Sequence, residues 1–227
     1  MSGEGAAVPG PYGAPEHPDI VTADETVTVA VRVDGYPTAA LPALFDTVFT
    51  GLFPALAEAG VRPAGPAYSL YTSAPAQTVD IEVGIPVDRV FEGEALLGTV
   101  PVGAGPVGAA QMGASSGEDA GPVGAEAGPA GTGAEAGASP GAEAGGAEGR
   151  VFELRAVASA VPGGRIAAAT YLGGFDGLSG AWQTLVAALE SQGETPAVPF
   201  WEVYVTEPRP DMDPAELRTD LFTALER

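Results

Sequence analysis

Two stretches of this chain, far apart in sequence, carry the same spacing of the same signals. Gly60 closes one helical pattern and Tyr71 follows eleven residues later; Gly193 closes another and Tyr204 follows eleven residues later. Each helical pattern is preceded by a strand-like segment and a glycine–aromatic turn: Val27 to Val33 before Gly35-Tyr36, and Ile166 to Tyr171 before Gly173-Gly174-Phe175. A spacing repeated at this length points to a duplicated structural unit. The sequence therefore predicts one α+β domain. Two pseudo-symmetric βαββ repeats form an antiparallel sheet around a ligand groove, with both helices on the opposite face. The copies differ where the first has Ser69 and the second Glu202, beside Trp201.

Local patterning supplies the elements. Val27, Val29, Val31 and Val33 alternate with Thr28, Ala30 and Arg32, the period of a half-buried strand. Leu41, Leu44, Phe45, Val48, Phe49, Leu52, Phe53 and Leu56 then recur at helical spacing, with Pro42 in the first turn and Pro54 as a candidate kink. Two strands come next, Ala67 to Thr72 and Val79 to Val87. The second copy reads as strands Val151 to Val157 and Arg165 to Tyr171, then a helix near Gly174 to Ser191 with Leu178, Trp182, Leu185, Val186 and Leu189 as its buried stripe. Strands Phe200 to Thr206 and Leu217 to Ala224 complete it.

Between the copies, residues 98–149 are low-complexity Gly-Ala-Glu-Ala-Gly sequence with almost no large apolar side chain. Such a composition cannot offset its ordering entropy, so the stretch is expected to be a disordered insertion. Residues 1–24 are expected to be a disordered Pro/Gly-rich lead. The single domain then spans 25–227, as repeat one (26–97), the insertion (98–149) and repeat two (150–227).

Charge and rare residues exclude several chemistries. The net charge is −21, and all nine basic residues are scattered arginines, which disfavours nucleic acid and anionic membrane as partners. An acidic field instead favours the approach of cations. There is no cysteine, and the single histidine, His17, lies in the lead, so neither a metal nor another cofactor is expected. With no signal-like N-terminus and no apolar run of about 20 residues, a cytoplasmic protein is expected. Asp211-Met212-Asp213 lacks a third ligand pattern and reads as a loop that caps the segment after it. The Gly163-Gly164 and Gly173-Gly174 pairs lack a phosphate-loop pattern and read as turns.

The residues that could carry chemistry centre on Trp201-Glu202-Val203-Tyr204. In a strand, Glu202 and Tyr204 share a face opposite Trp201 and Val203. By the repeat, Ser69 and Tyr71 face them. A buried carboxylate is costly unless paired or protonated; a lipophilic cation would repay it, with tyrosine rings adding cation–π attraction. The alternative reading is an exposed Glu202 on an edge strand. Tyr171 and Phe175 join Tyr71 and Tyr204 as candidate lining, whereas Trp182 reads as core.

The ordered series of motifs resembles GyrI-like small-molecule-binding domains, the AraC-type effector-binding domains. In the first half it consists of Leu52-Phe53-Pro54-Ala55-Leu56 through Gly60, Gly65-Pro66-Ala67 leading to Tyr71, and Val79 to Val87. In the second it consists of Pro162 to Ala167, Tyr171 to Leu178, Trp201 to Tyr204, Pro208 and Arg218-Thr219-Asp220. The resemblance covers residues 26–96 and 150–225. It implies a groove for bulky aromatic or cationic compounds of the multidrug-binding kind, with Glu202 as the ligand-facing glutamate and Tyr71 and Tyr204 as pocket tyrosines. Many relatives are sensors fused to helix-turn-helix regions, for which residues 1–24 leave no room; a stand-alone receptor or scavenger is expected. Some stand-alone relatives are implied to hydrolyse strained electrophiles, which makes Glu202 the general acid or base of a rival, hydrolase reading. Binding needs fewer coincidences than catalysis. No catalytic residue is otherwise assigned, and no protein partner can be named.

Overall fold

The computed structural model describes residues 18–102, 149–209 and 211–226. The chain divides into two units, and all of the second, Gly103–Gly149, except Gly149 lies outside the described residues, as does His17.

The first unit is one nine-stranded antiparallel sheet with two helices, of the expected α+β class. In chain order the elements are β1 (Asp19–Ala23), β2 (Thr26–Pro37), α1 (Leu41–Glu58), β3 (Tyr68–Tyr71), β4 (Thr78–Pro86), β5 (Glu94–Val102), β6 (Arg150–Val161), β7 (Gly164–Leu172), α2 (Leu178–Ser191), β8 (Pro196–Tyr204) and β9 (Arg218–Leu225). Across the sheet they run β1-β7-β9-β8-β3-β4-β2-β6-β5. Strands β3 and β8 pair at the middle, with Ser69 directly opposite Glu202.

Both helices end in the same way. Val61 N–H bonds the Leu56 carbonyl and Gly60 N–H that of Ala57; Glu194 bonds Leu189 and Gly193 bonds Glu190. This is the Schellman arrangement, which places the residue after the cap in the left-handed region. Gly60 (φ 66°) and Gly193 (φ 78°) occupy those positions, where a Cβ would add strain. Helix α1 starts with Pro42 in its first turn and runs on through Pro54. Its Leu44, Val48, Leu52 and Leu56 are fully buried, each contributing up to about 1.5–3 kcal/mol. With its preceding turn this helix, Thr38–Glu58, is long and apolar enough to cross a membrane (mean hydropathy 1.5), which corrects the reading that no such run exists. Its apolar stripe is buried against the strands.

Two expected boundaries move. The lead was expected to extend to residue 24, but Asp19–Ala23 form edge strand β1 on β7, with Val21 and Ala23 packed into the core. The insertion was expected from residue 98 and no strand before it after Val87, but Glu94–Val102 form β5, which pairs with β6 and buries Val100. Both are edge strands, where one side of the ladder has no partner to satisfy. Pro101 is tolerated in β5 for that reason.

The connections force the sheet to curl. In sheet order β1 and β2 are six inter-strand spacings apart, about 29 Å if flat. Only Asp24 and Glu25 join them, a link that spans at most about 11 Å. The same holds for β6 and β7, joined by Pro162-Gly163. The two crossings touch: a Cβ on Gly163 would lie 2.6 Å from Glu25 N and 2.7 Å from Ala23 O. The curl gives the sheet two buried sides. The side without helices holds Ala30, Tyr68, Leu70, Ile166, Ala168, Trp201, Val203 and Phe222. The other packs α1 over one half and α2 over the other.

Candidate ligand-binding site

Glu202 lies on β8, flanked by β3 and β9 at the middle of the sheet, and is 7% exposed. The exposed edge-strand alternative is therefore excluded. As the strand alternation required, Trp201 and Val203 point to the concave side and Glu202 to the other. That other side carries the helices. The indole Nε1–H of Trp182, on α2, donates to Glu202 Oε1 at 2.8 Å. This corrects the expectation that the helices stand away from Glu202. Strand β3 is buried at all four positions and β4 at nearly all, because the curl encloses the second side too. A pattern buried on both sides names no helix side.

The carboxylate is held by neutral donors. Tyr204 OH donates to Oε2 at 3.0 Å, and Ser69 Oγ is 2.7 Å from the same hydroxyl. Burial pushes the Glu202 carboxyl above the usual range, against the opposing pull of the hydrogen bonds from Trp182, Tyr204 and Ser69. Burial and the nearby Glu202 charge push Tyr71 and Tyr204 upward, so both phenols remain protonated donors. Among the described residues, no ion pair involves Glu202.

Aromatic rings surround this cluster from both helices and the sheet. Phe175 and, on α1, Phe45 meet Tyr204 edge-on, with centroids 5.8 and 6.3 Å away, and Phe45 stacks along Phe49. Phe200 stacks on Tyr71 at 4.9 Å and meets Trp182 edge-on at 5.0 Å. Phe175 is 46% exposed, so the row reaches solvent. On β9, Thr219 is paired in register with Tyr204 and is 1% exposed; its hydroxyl has no hydrogen-bond partner.

Of the six expected lining residues, the structure brings together Glu202, Tyr204, Ser69 and Phe175, with Tyr71 within the field of the carboxylate. Tyr171 is used otherwise: its hydroxyl bonds the Gly174 carbonyl and clamps the turn before α2. Trp182, expected in the core, is a carboxylate ligand. The available signal was its position at the margin of the Ala181, Leu185 and Leu189 stripe, since a half-buried indole N–H needs a partner. Phe45 and Phe200 were also missed. The Asp213 carboxylate accepts from Ala215 N–H and caps the following turn, as expected.

A second buried carboxylate, unexpected from sequence, stands on the concave side. Glu82 accepts from Tyr68 and Ser159 and pairs with Arg32. Among the described residues, Glu82 is thus given a cation and Glu202 none.

No family model and no characterised protein matches the chain by sequence. Comparison of structures does find neighbours. The EcmrR C-terminal domain superposes with a TM-score of 0.55 at 12% identity, over 93% of this chain and 98% of that one. The fold is GyrI-like. The EcmrR chain in an EcmrR–DNA complex gives the same TM-score and identity, and the present chain spans 57% of its length. SAV2435 bound to tetraphenylphosphonium is a more distant match, with a TM-score of 0.48 at 7% identity over 92% of this chain and 94% of that one. In the GyrI-like fold of this chain, Glu202 occupies the strand pair at the centre of the sheet, where the two helix-bearing halves meet.

Proposed function

We propose that this protein is a receptor or scavenger of hydrophobic, cationic aromatic small molecules, bound on the helix-bearing side at Glu202. The observation that carries the reading is a buried carboxylate ringed by aromatics and satisfied only by neutral donors. Ionising it there is costly, and a lipophilic cation supplies the missing countercharge while the rings of Tyr204, Phe175 and Phe45 offer cation–π contact. Those side chains cover the carboxylate. Entry therefore requires rotamer changes, with half-exposed Phe175 the first to move. The Thr219 hydroxyl, unpartnered beside Tyr204, is available to a ligand's polar group.

Nucleic acid is not part of this reading. Six of the nine arginines are already paired with carboxylates in the first unit, and the net charge is −21. No binding to membrane is proposed, and a cytoplasmic location remains part of the proposal.

Titration with tetraphenylphosphonium and a panel of neutral aromatics, by calorimetry or dye displacement, tests it. Micromolar binding of cations, lost in Glu202→Gln, is the expected result; no binding by any member of the panel overturns it.

One observation favours a second reading. A carboxyl raised above its usual range, beside the protonated hydroxyls of Tyr71 and Tyr204, has the makings of a general acid or base for hydrolysis of strained electrophiles. Incubation with epoxide or spirocyclopropane compounds, followed by mass spectrometry, separates the two. Multiple turnovers abolished by Glu202→Gln make the protein a hydrolase; unchanged compound recovered at stoichiometry leaves the receptor.

A further inference from the structure

Strand β9 buries a hydroxyl that the fold does not use. Among the described residues, the Thr219 hydroxyl is the one buried side-chain polar atom with no hydrogen-bond partner. Leaving a buried hydroxyl unpaired lowers stability, and buried polar groups are paired with few exceptions. Valine would fill the same space without that cost, and its branched side chain suits a strand equally well.

The place of Thr219 in the sheet gives the hydroxyl a use. It is paired in register with Tyr204 on one flank and Tyr171 on the other. Two residues along, Leu221 is paired with Glu202 and packs under α2, so Thr219 shares the helix-bearing side. Thr219 is therefore a diagonal neighbour of Glu202, a separation of about 7–8 Å that is shorter between side chains. It also lies beside the loop that carries Phe175. Gly173 N–H bonds the Leu217 carbonyl at 2.9 Å, and the Tyr171 hydroxyl holds the Gly174 carbonyl at 3.1 Å. Movement of Phe175, which admits a ligand to Glu202, thus opens the way to Thr219 as well.

A carboxylate and a hydroxyl oxygen at this spacing select one kind of cation. An ammonium that keeps its N–H groups donates one to Glu202 and another to Thr219. A quaternary ammonium or phosphonium brings the same charge without a donor, and leaves the hydroxyl unpaired in the complex. A site built to receive an N–H rejects an analogue that lacks it. Granted the cation site at Glu202, on which this rests, we propose that Thr219 makes that site selective for protonated primary and secondary aromatic amines over quaternary cations of the same charge.

Calorimetric titration of the full chain compares naphthylmethylammonium with its N-trimethyl counterpart, which has the same ring and charge. The primary ion is expected to bind the parent about tenfold more tightly, the worth of one further hydrogen bond. That preference should be lost in Thr219→Val and kept in Thr219→Ser, which separates the hydroxyl from the bulk of the three methyl groups. Without ligand, Thr219→Val should melt no lower than the parent, because it removes an unpaired buried group. No preference in the parent, a preference that survives in Thr219→Val, or a lower-melting Thr219→Val overturns the proposal. If neither ion binds the parent, or both bind Glu202→Gln undiminished, the cation site itself falls and the role of Thr219 with it. Equal binding of both ions that is lost in Glu202→Gln leaves the cation site standing and removes only the selectivity.

Discussion

Trp182 on helix α2 donates its indole N–H to Glu202 on the central strand at 2.8 Å, tying a helix to the middle of the sheet through a carboxylate. Glu82, on the opposite side of the sheet, is paired with Arg32. Glu202 has Trp182, Tyr204 and Ser69 around it, all neutral. Its burial is therefore a cost whenever it is ionised.

That cost has a sign that stability measurements can read. The folded-state pKa of Glu202 is raised by burial, so folding takes up a proton between the unfolded and folded values. Its contribution to stability is greatest below the ordinary carboxylate range and is lost as pH rises through the raised value. Glu202→Gln should consequently raise the melting temperature at pH 8, on the order of 2–4 °C per kcal/mol recovered, with little effect at pH 4. Thermal melts at the two pH values check this. A variant less stable at both would show that the charge is well accommodated.

Trp182→Phe keeps an aromatic ring near Phe200 but removes the N–H donor. The hydrogen bond lowers the Glu202 pKa, so its loss should raise that pKa further. In the proposed receptor a cation binds the ionised form, so the pH at which tetraphenylphosphonium affinity half-develops should move upward. Affinity should fall more at pH 6 than at pH 8. A binding profile superimposable on that of the parent would mean the indole does not hold the charge.

Two glycine substitutions should act in opposite directions. Gly163→Ala drives a Cβ into the backbone of the Ala23–Glu25 link and should cost about 1–3 kcal/mol. Gly180→Ala, inside α2 with nothing within 4 Å of its new Cβ, should gain about 0.4–1 kcal/mol. Urea denaturation of both variants gives the comparison. Equal stabilities would argue that the two crossings do not bear on one another.

Val102 and Arg150 are directly paired across β5 and β6. Replacing residues 103–149 with Asn-Gly should therefore give a two-residue hairpin. Shortening a loop changes closure entropy by about 0.6 kcal/mol per halving, so this cut, between four and five halvings, should raise the melting temperature by about 5–10 °C. A shortened chain that melts lower, or does not fold, would assign a stabilising role to the removed residues.

Much of this fold was legible because its signals are local. Alternating valines marked β2, a leucine stripe marked α1, and Gly60 and Gly193 marked the two helix ends at the positions they occupy. The parity of β8 also separated Glu202 from Trp201 correctly. Strands β1 and β5 were obscured because edge strands are short and need only one neighbour, here β7 and β6, that lies far away in sequence. The helix side was unreadable because the curl buries both sides of β3 and β4. Trp182 was misread because its place on a helix stripe says nothing about which strand atom its N–H will meet. The Glu82–Arg32 pair joins residues on two different strands, and only the β2–β4 register brings them side by side.

The order of strands also decides the fate of the two pieces that a cut between residues 102 and 150 would leave. The N-terminal piece supplies β1 at one edge, β3-β4-β2 in the middle and β5 at the other edge. The C-terminal piece fills the gaps with β7-β9-β8 and β6. The pieces meet along four seams, β1·β7, β8·β3, β2·β6 and β6·β5. Ser69 comes from one piece and Glu202 and Trp182 from the other. Neither piece alone would hold a continuous sheet or a complete set of carboxylate ligands. Expressed separately, the two would act as a split pair whose reassembly restores the Ser69–Tyr204 hydrogen bond beside Glu202 and, with it, the proposed binding site.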